Sequence, residues 1–443
     1  MSYFISVKSV AVLVALVITG CSKNGVNNDR VSQVNSSSLS STFDIVETFD
    51  TLDDWDGDAR VGYNYGTSYA PKEASGGASR WVYFTNDRKT LEYESPSGGF
   101  VVGDTIIGET SSATGRVEKL ITEDGKMYMQ LTTPLSGNFS AGETIRNQVN
   151  VEAKFVSNPK WIANHGADYV WGGTGKSLRI NYYDFSGGIA GFGPSRLGMF
   201  LGDGVTGKSG YKKIHMFMMV KFHPGFFKQN ADGSFDYVGT LKFFELCSGF
   251  TAPDYWGTPT EHSMTNGEPQ ATTEYGLNYT IFNLFGGGAS TPNRLYFREL
   301  TRVARQNSNG WAAAATTYDL RGLTNSVTRD NDINQYYLDN DWFGLEVAVD
   351  IGTTNNVDGS IDFWIYDKFG NVKGHFTSNG ENRLVQFDHF FNKVTLGGNR
   401  ICSGYGSCPE GQDNRWYADD IIVHHDRIGP TYFKILKLNN HEN

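Results

Sequence analysis

The chain has 443 residues, a formal net charge of −10 and only 19% charged residues, against 52 Gly, 29 Phe, 23 Tyr and 9 Trp. The acidic balance argues against nucleic acid as a partner, because phosphate binding needs a basic surface; an acidic polysaccharide meeting a local basic groove stays open. The length allows one large domain with insertions or two smaller ones, and the glycine- and aromatic-rich composition points to an all-β architecture.

The chain begins "MSYFISVKSVAVLVALVITGCSK". Lys8 supplies a thin basic region, and the apolar run from Val10 to Ile18 is too short for a permanent membrane span. It ends in "ITGC", which resembles the lipobox of bacterial lipoproteins. The resemblance implies a signal peptide over 1–20, a lipidated Cys21 as the mature N-terminus, and tethering to a membrane through acyl chains. Ser22, where an Asp is absent, implies the outer membrane and the cell surface. An ordinary secretory signal is the alternative, and either reading exports the chain. Residues 21–42, rich in Ser and Asn, read as a flexible tether. In an oxidising compartment the near pair Cys402 and Cys408 is suited to closing a small loop and leaving Cys247 unpaired; the sequence leaves that pairing open.

Strand-like runs follow at 177–185, 213–222, 240–246, 293–303, 343–351, 360–367, 392–398 and 416–425, separated by Gly, Asn and Asp clusters. Helical periodicity is nearly absent, with a turn or two expected within 328–341. "FVVGDTI" at 100–106 is echoed by "FSAGETI" at 139–145, so 98–156 is read as a small β-module inserted into a larger sandwich formed by 43–97 and 157–438. The repeat resembles β repeats of phage structural and surface proteins, and a decorated loop with two similar hairpins is the other reading.

Three passages of the larger part, "IHMFMMVKFHPGF", "WFGLEVAVDIGTTNNVDGSIDFWIYDKFGN" and "WYADDIIVHHDRIG", resemble the concanavalin A-like jelly roll of polysaccharide lyases and laminin-G-like sugar binders. The resemblance implies a jelly-roll β-sandwich whose sheet face carries carbohydrate. Alternation of side chains in strands then sorts the residues. Ile214, Met216, Met218 and Val220 share one face, as do Ile361, Phe363 and Ile365, and these are expected in the core. Lys213 and His215 share the opposite face of their strand, Tyr296, Arg298 and Arg302 share one face of theirs, and Asp362, Trp364 and Tyr366 share another.

Uronate β-elimination needs a cation to neutralise the carboxylate, a base to take the C5 proton and an acid for the leaving oxygen. His215, Tyr296, Arg298 and Arg302 are therefore the candidate catalytic group. Lys213 and Lys242 are the expected holders of acid groups, and Trp364 and Tyr366 the stacking platform. The expected activity is binding of an anionic polysaccharide with cleavage by β-elimination; a non-catalytic glycan-binding protein is the alternative. The E-x-D-x-x-E spacing of retaining laminarinase-type hydrolases is absent from the sequence. No cofactor is required. By resemblance, a structural calcium ion is the expected metal, with Glu47, Asp50 and Asp420 as its ligands. His424 and His425 are neighbours, so an extended strand would send them to opposite faces and deny them a shared metal.

Overall fold

The computed structural model describes residues 36–56, 71–76, 79–84, 89–123, 125–181, 196–202, 210–223, 239–247, 278–286, 295–307, 310–319, 340–350, 360–379, 391, 393–397, 400–401 and 415–441. The first strands in chain order are β1 (Ile45–Glu47), β2 (Trp81–Phe84), β3 (Lys89–Glu94), β4 (Thr105–Gly108), β5 (Thr114–Glu123), β6 (Lys126–Ser136), β7 (Thr144–Arg146) and β8 (Glu152–Ser157). Then come β9 (Ile162–Ala163), β10 (Ser177–Asn181), β11 (Arg196–Phe200), β12 (Lys213–Phe222), β13 (Gly239–Cys247), β14 (Asn278–Gly286), β15 (Leu295–Asn307) and β16 (Gly310–Asp319). The last are β17 (Phe343–Asp350), β18 (Ser360–Asp367), β19 (Val372–Asn379), β20 (Lys393–Leu396), β21 (Arg400–Ile401) and β22 (Arg415–His424). Helix α1 (Ser36–Ser40) precedes them and α2 (Gly429–His441) follows.

The strands form a jelly-roll sandwich. One sheet runs β19-β18-β17-β12-β22-β10-β9, with β1 added beside β22; the other runs β16-β15-β14-β13-β20-β11-β2, with β21 beside β13. Successive strands β10, β11, β12 and β13 alternate between the sheets, and β20 and β22 return between them, all antiparallel. Alternation delivers Ile214, Met216, Met218, Val220, Phe363 and Ile365 to the layer between the sheets, where Leu197, Met199, Phe244 and Val394 of the second sheet meet them. Ile361 has no described side chain.

Segment 89–157 folds as a closed barrel, β3-β6-β5-β4-β7-β8, which takes in β3 ahead of the expected start at Gly98. The repeated heptads have one physical job. In each, the Phe and the Ile are buried (Phe100 and Ile106; Phe139 and Ile145) and the Gly takes a positive φ (98° at Gly103, 82° at Gly142). The acid then closes the turn by accepting the backbone N–H three residues earlier: Asp104 from Val101 at 3.0 Å, Glu143 from Ser140 at 2.5 Å.

Two departures from simple alternation decide what the first sheet does. In β22 the register with β12 shifts between Phe217 and Met219, and Asp420 takes φ 46°. This bulge inserts one residue, so Trp416 and Ala418 face the core before it and Ile421 and Val423 after it. The second departure is α2, which the strand pattern of the sequence does not anticipate. Pro430 sits in its first turn, where a missing N–H costs nothing. Ile428, Tyr432, Phe433 and Leu436 pack down on Phe217, Met219, Tyr366 and Ile422, on the sheet face away from the core. Each such side chain contributes about 1.5–3 kcal/mol when buried. The face expected to lie open is therefore covered. Among the described residues no helix is long and apolar enough to cross a membrane, and Cys21, the tether as far as Asn35, Cys402, Cys408 and 328–339 lie outside them.

Candidate functional site

The outer face of the first sheet carries two polar clusters, one at each end. Under α2, Glu346 is fully buried and its two oxygens take four donors. His215 Nδ1 (3.1 Å) and the Ile428 N–H (2.7 Å) meet Oε1; the Tyr366 hydroxyl (2.7 Å) and the Gly429 N–H (3.0 Å) meet Oε2. The carboxylate thus satisfies orphan N–H groups at the start of α2 and complements the positive end of its dipole. Burial, followed by the Glu346 charge, pushes the Tyr366 phenol well above its usual range.

This arrangement corrects three expectations. His215 and Trp364 are 5% and 6% exposed and Tyr366 is fully buried, so none of them lines an open groove. Trp364 is stacked against His375 (4.9 Å, 6°) and His215 (6.1 Å, 17°), with the Arg427 guanidinium 4.6 Å from its ring centre, so its π surface is already occupied. His215 belongs to β12 of the first sheet and Tyr296 to β15 of the second, so the single groove expected to hold both is not formed. The strand alternation was right; what covers Phe217 on β12 comes from Tyr432 and Phe433, more than two hundred positions away.

On the second sheet, the backbone register sets Lys242, Asn283, Arg298 and Asp319 in one row across β13, β14, β15 and β16. Tyr296 pairs with Phe285 and Arg302 with Tyr279. The side chains of Lys242, Tyr296, Arg298 and Arg302 lie outside the described set. Lys213 is exposed at the start of β12, opposite Asp350.

The other end of the first sheet's outer face is not marked by any motif in the sequence; there Arg415 and Lys221 are as buried as His215, and Arg179 is half-buried. Leu178 and Ile180 of β10 point to the core, which turns Arg179 outward; Trp416 and Ala418 do the same for Arg415 and Tyr417, and Val220 and Phe222 for Lys221. Tyr417 is the cross-strand partner of both Arg179 and Lys221, so it stands between them. Tyr169, from the loop after β9, stacks on Tyr417 (4.5 Å, 19°) and on His223 (5.3 Å, 22°). Arg415 Nη2 lies 3.0 Å from His223 Nε2, and Lys221 donates to the Asp168 carbonyl at 2.8 Å, 5.2 Å from the Tyr169 ring centre.

Lys221 lies beside the Tyr169 ring and Arg415 beside the His223 imidazole, while Arg179 pairs across the strands with Tyr417. Burial, and then the Arg179 charge, push the neighbouring His165 imidazole down to about 3. Its Nε2 is 3.2 Å from the Trp161 carbonyl oxygen, so the neutral ring carries its proton there and presents Nδ1 as an acceptor. The Arg179 Nε is buried and has no hydrogen-bond partner among the described residues. Guanidiniums matched to a planar two-oxygen anion are the chemistry this cluster offers. The missed signal was the outward position of Arg179 in "SLRIN" and of Arg415 in "RWYADD", on strands that become neighbours only in the fold.

The expected calcium ligands do not fit an ion. Glu47 accepts from Trp81 Nε1 (2.8 Å) and the Phe49 N–H (2.6 Å), Asp50 from the Lys176 N–H (2.8 Å), and Asp420 from the Tyr432 hydroxyl. Their oxygens do not converge as a three-ligand group among the described residues. Burial instead pushes Glu47 up to about 7 and Asp420 up to about 6; burial and the Asp420 charge push Asp419 well above the carboxylate range.

No protein-family profile and no curated protein sequence matches the chain. Among solved structures it is similar to the PL-14 alginate lyase from Aplysia kurodai, at 12% identity and a TM-score of 0.33 over 59% of this chain and 85% of that one. It is also similar to a double mutant of the alginate lyase Aly36B in complex with alginate tetrasaccharide, at 13% identity and 0.32 over 57% and 82%. The botulinum neurotoxin serotype D/C binding domain follows, at 11% and 0.26 over 65% and 50%.

Proposed function

We propose that the protein is an envelope-tethered lipoprotein that binds an anionic polysaccharide through the half-buried Arg179, with the buried Arg415 and Lys221 adding positive charge behind it. One observation carries the reading: on a chain of net charge −10, these cations are gathered on one end of a sheet, and a buried Arg179 Nε–H is left without an acceptor among the described residues. A uronate carboxylate or a sulfate ester has the oxygens to meet the half-buried guanidinium. The contacts of Lys221 with Tyr169 and of Arg415 with His223 hold those two side chains before a ligand arrives and so reduce the rotamer entropy lost on binding. The "ITGC" motif supports attachment through Cys21, with the chain displayed on the outer membrane.

Cleavage by β-elimination is the second reading, favoured by the Lys242, Asn283 and Arg298 row of the second sheet. It would neutralise a uronate carboxylate there, with Tyr296 on the same strand as the proton-transfer group. One experiment separates the readings. The protein is incubated with a panel of uronate and sulfated polysaccharides, following ultraviolet absorbance of new unsaturated ends alongside retention in affinity gels. Retention without absorbance supports binding alone, and absorbance with one uronate polymer establishes a lyase. Loss of both signals across the panel removes the polysaccharide reading.

A further inference from the structure

The first and last strands of the sandwich bring Asp44, His424 and His425 to one point. β1 pairs antiparallel with β22 through Ile45 and Val423, so one step further Asp44 lies opposite His424. β22 ends at His424 and the chain bends at His425. The alternation that would have separated the two imidazoles therefore stops between them, and their ring centres are 4.0 Å apart. Asp44 Oδ2 is 3.2 Å from His424 Nδ1 and 3.0 Å from His425 Nδ1, and all three donor atoms lie within 4.8 Å of one another.

These separations have a chemical meaning. Four ligands on a tetrahedral ion at about 2.0–2.1 Å stand about 3.3 Å from each other, close to both measured contacts. The His424 Nδ1 is buried, and although it is within ion-pair distance of Asp44 it makes no hydrogen bond among the described residues. The ring is held by Phe43, edge-on at 5.5 Å. Side chains of Asp44 and His425 remain 33% and 60% exposed, which leaves an ion a way in and room for a water ligand.

We propose that Asp44, His424 and His425 form a binding site for a divalent transition-metal cation of the zinc class, with solvent completing the coordination. Imidazole with one carboxylate suits zinc, cobalt or nickel far better than calcium. A bound ion would clasp β1 to the end of β22 and so join the first and last strands. The proposal is independent of the polysaccharide reading.

The test is titration of metal-free protein with cobalt(II) and zinc(II), by calorimetry and by the visible absorption of bound cobalt. The expected result is one ion per chain, a cobalt ligand-field band displaced by zinc, and a higher melting temperature with zinc than with chelator. His425→Ala, at an exposed position, and Asp44→Asn should each weaken binding at least about tenfold. Absence of heat and band in the intact protein, or binding unchanged in both His425→Ala and Asp44→Asn, overturns the proposal.

Discussion

His215 and Glu346 meet in the first sheet with Nδ1 3.1 Å from Oε1, beneath the start of α2 and on the opposite sheet from Tyr296. The pair is an anchor for the helix. His215→Ala should lower stability by about 1–3 kcal/mol, the cost of leaving a buried acceptor short of a donor. Glu346→Ala, which strands His215, Tyr366 and two backbone N–H groups, should cost about 3–5 kcal/mol. Denaturant midpoints measure both. Polysaccharide retention by His215→Ala should equal that of the parent; a variant of normal stability that no longer binds would return His215 to the site.

Gly429 sits close against Tyr366 of β18. A Cβ there would overlap the ring of Tyr366. Gly429→Ala is therefore expected to destabilise by about 1–3 kcal/mol through overpacking. Thr431→Ala, on the exposed side of the same turn, should stay within about 0.5 kcal/mol. Equal midpoints for the two variants would contradict the tight docking of α2.

The His165 imidazole gives a pH dependence with a definite sign. Its folded value is pushed down to about 3 by burial and then by Arg179, while an unfolded histidine titrates near about 6.5. Between about pH 6.5 and 3 the unfolded chain binds the extra proton, so stability falls as pH falls through that window. His165→Gln should flatten this part of the stability profile relative to the parent and leave the profile above about pH 7 parallel to it. Profiles that stay parallel down to about pH 4 would show that His165 is protonated in the folded state.

Much of this architecture was legible in the chain. The bounds of β12 and β18 and the inward faces of both follow from two-residue alternation, because a strand's own pleat fixes which side chains share a face. What alternation does not reveal is the cover. Tyr432 and Phe433 reach Phe217 from the far end of the sequence, and no local pattern in "KIHMFMMVKF" announces them. The bulge at Asp420 is equally non-local, since its register depends on β12. Arg179 and Arg415 escape a strand-by-strand reading because each is ordinary on its own strand, and only the β10–β22 pairing makes them neighbours. His424 and His425 failed the alternation argument for a local reason: the strand ends between them.

The lipid anchor proposed at Cys21 has its own test. Cells fed a labelled fatty acid should incorporate it into the parent and not into Cys21→Ser, and the variant should leave the membrane fraction. Label retained in Cys21→Ser would point to another attachment and remove the lipoprotein assignment.

The most direct measurement is elution of the parent and Arg179→Gln from a uronate polysaccharide column along a salt gradient, beside a neutral glucan column. Arg179 is only half-buried, so the substitution should leave the melting temperature within a few degrees. The parent should be retained on the uronate column alone, and Arg179→Gln should elute at clearly lower salt. Co-elution of the two proteins, or no retention of the parent on any anionic polymer, would contradict polysaccharide binding through Arg179.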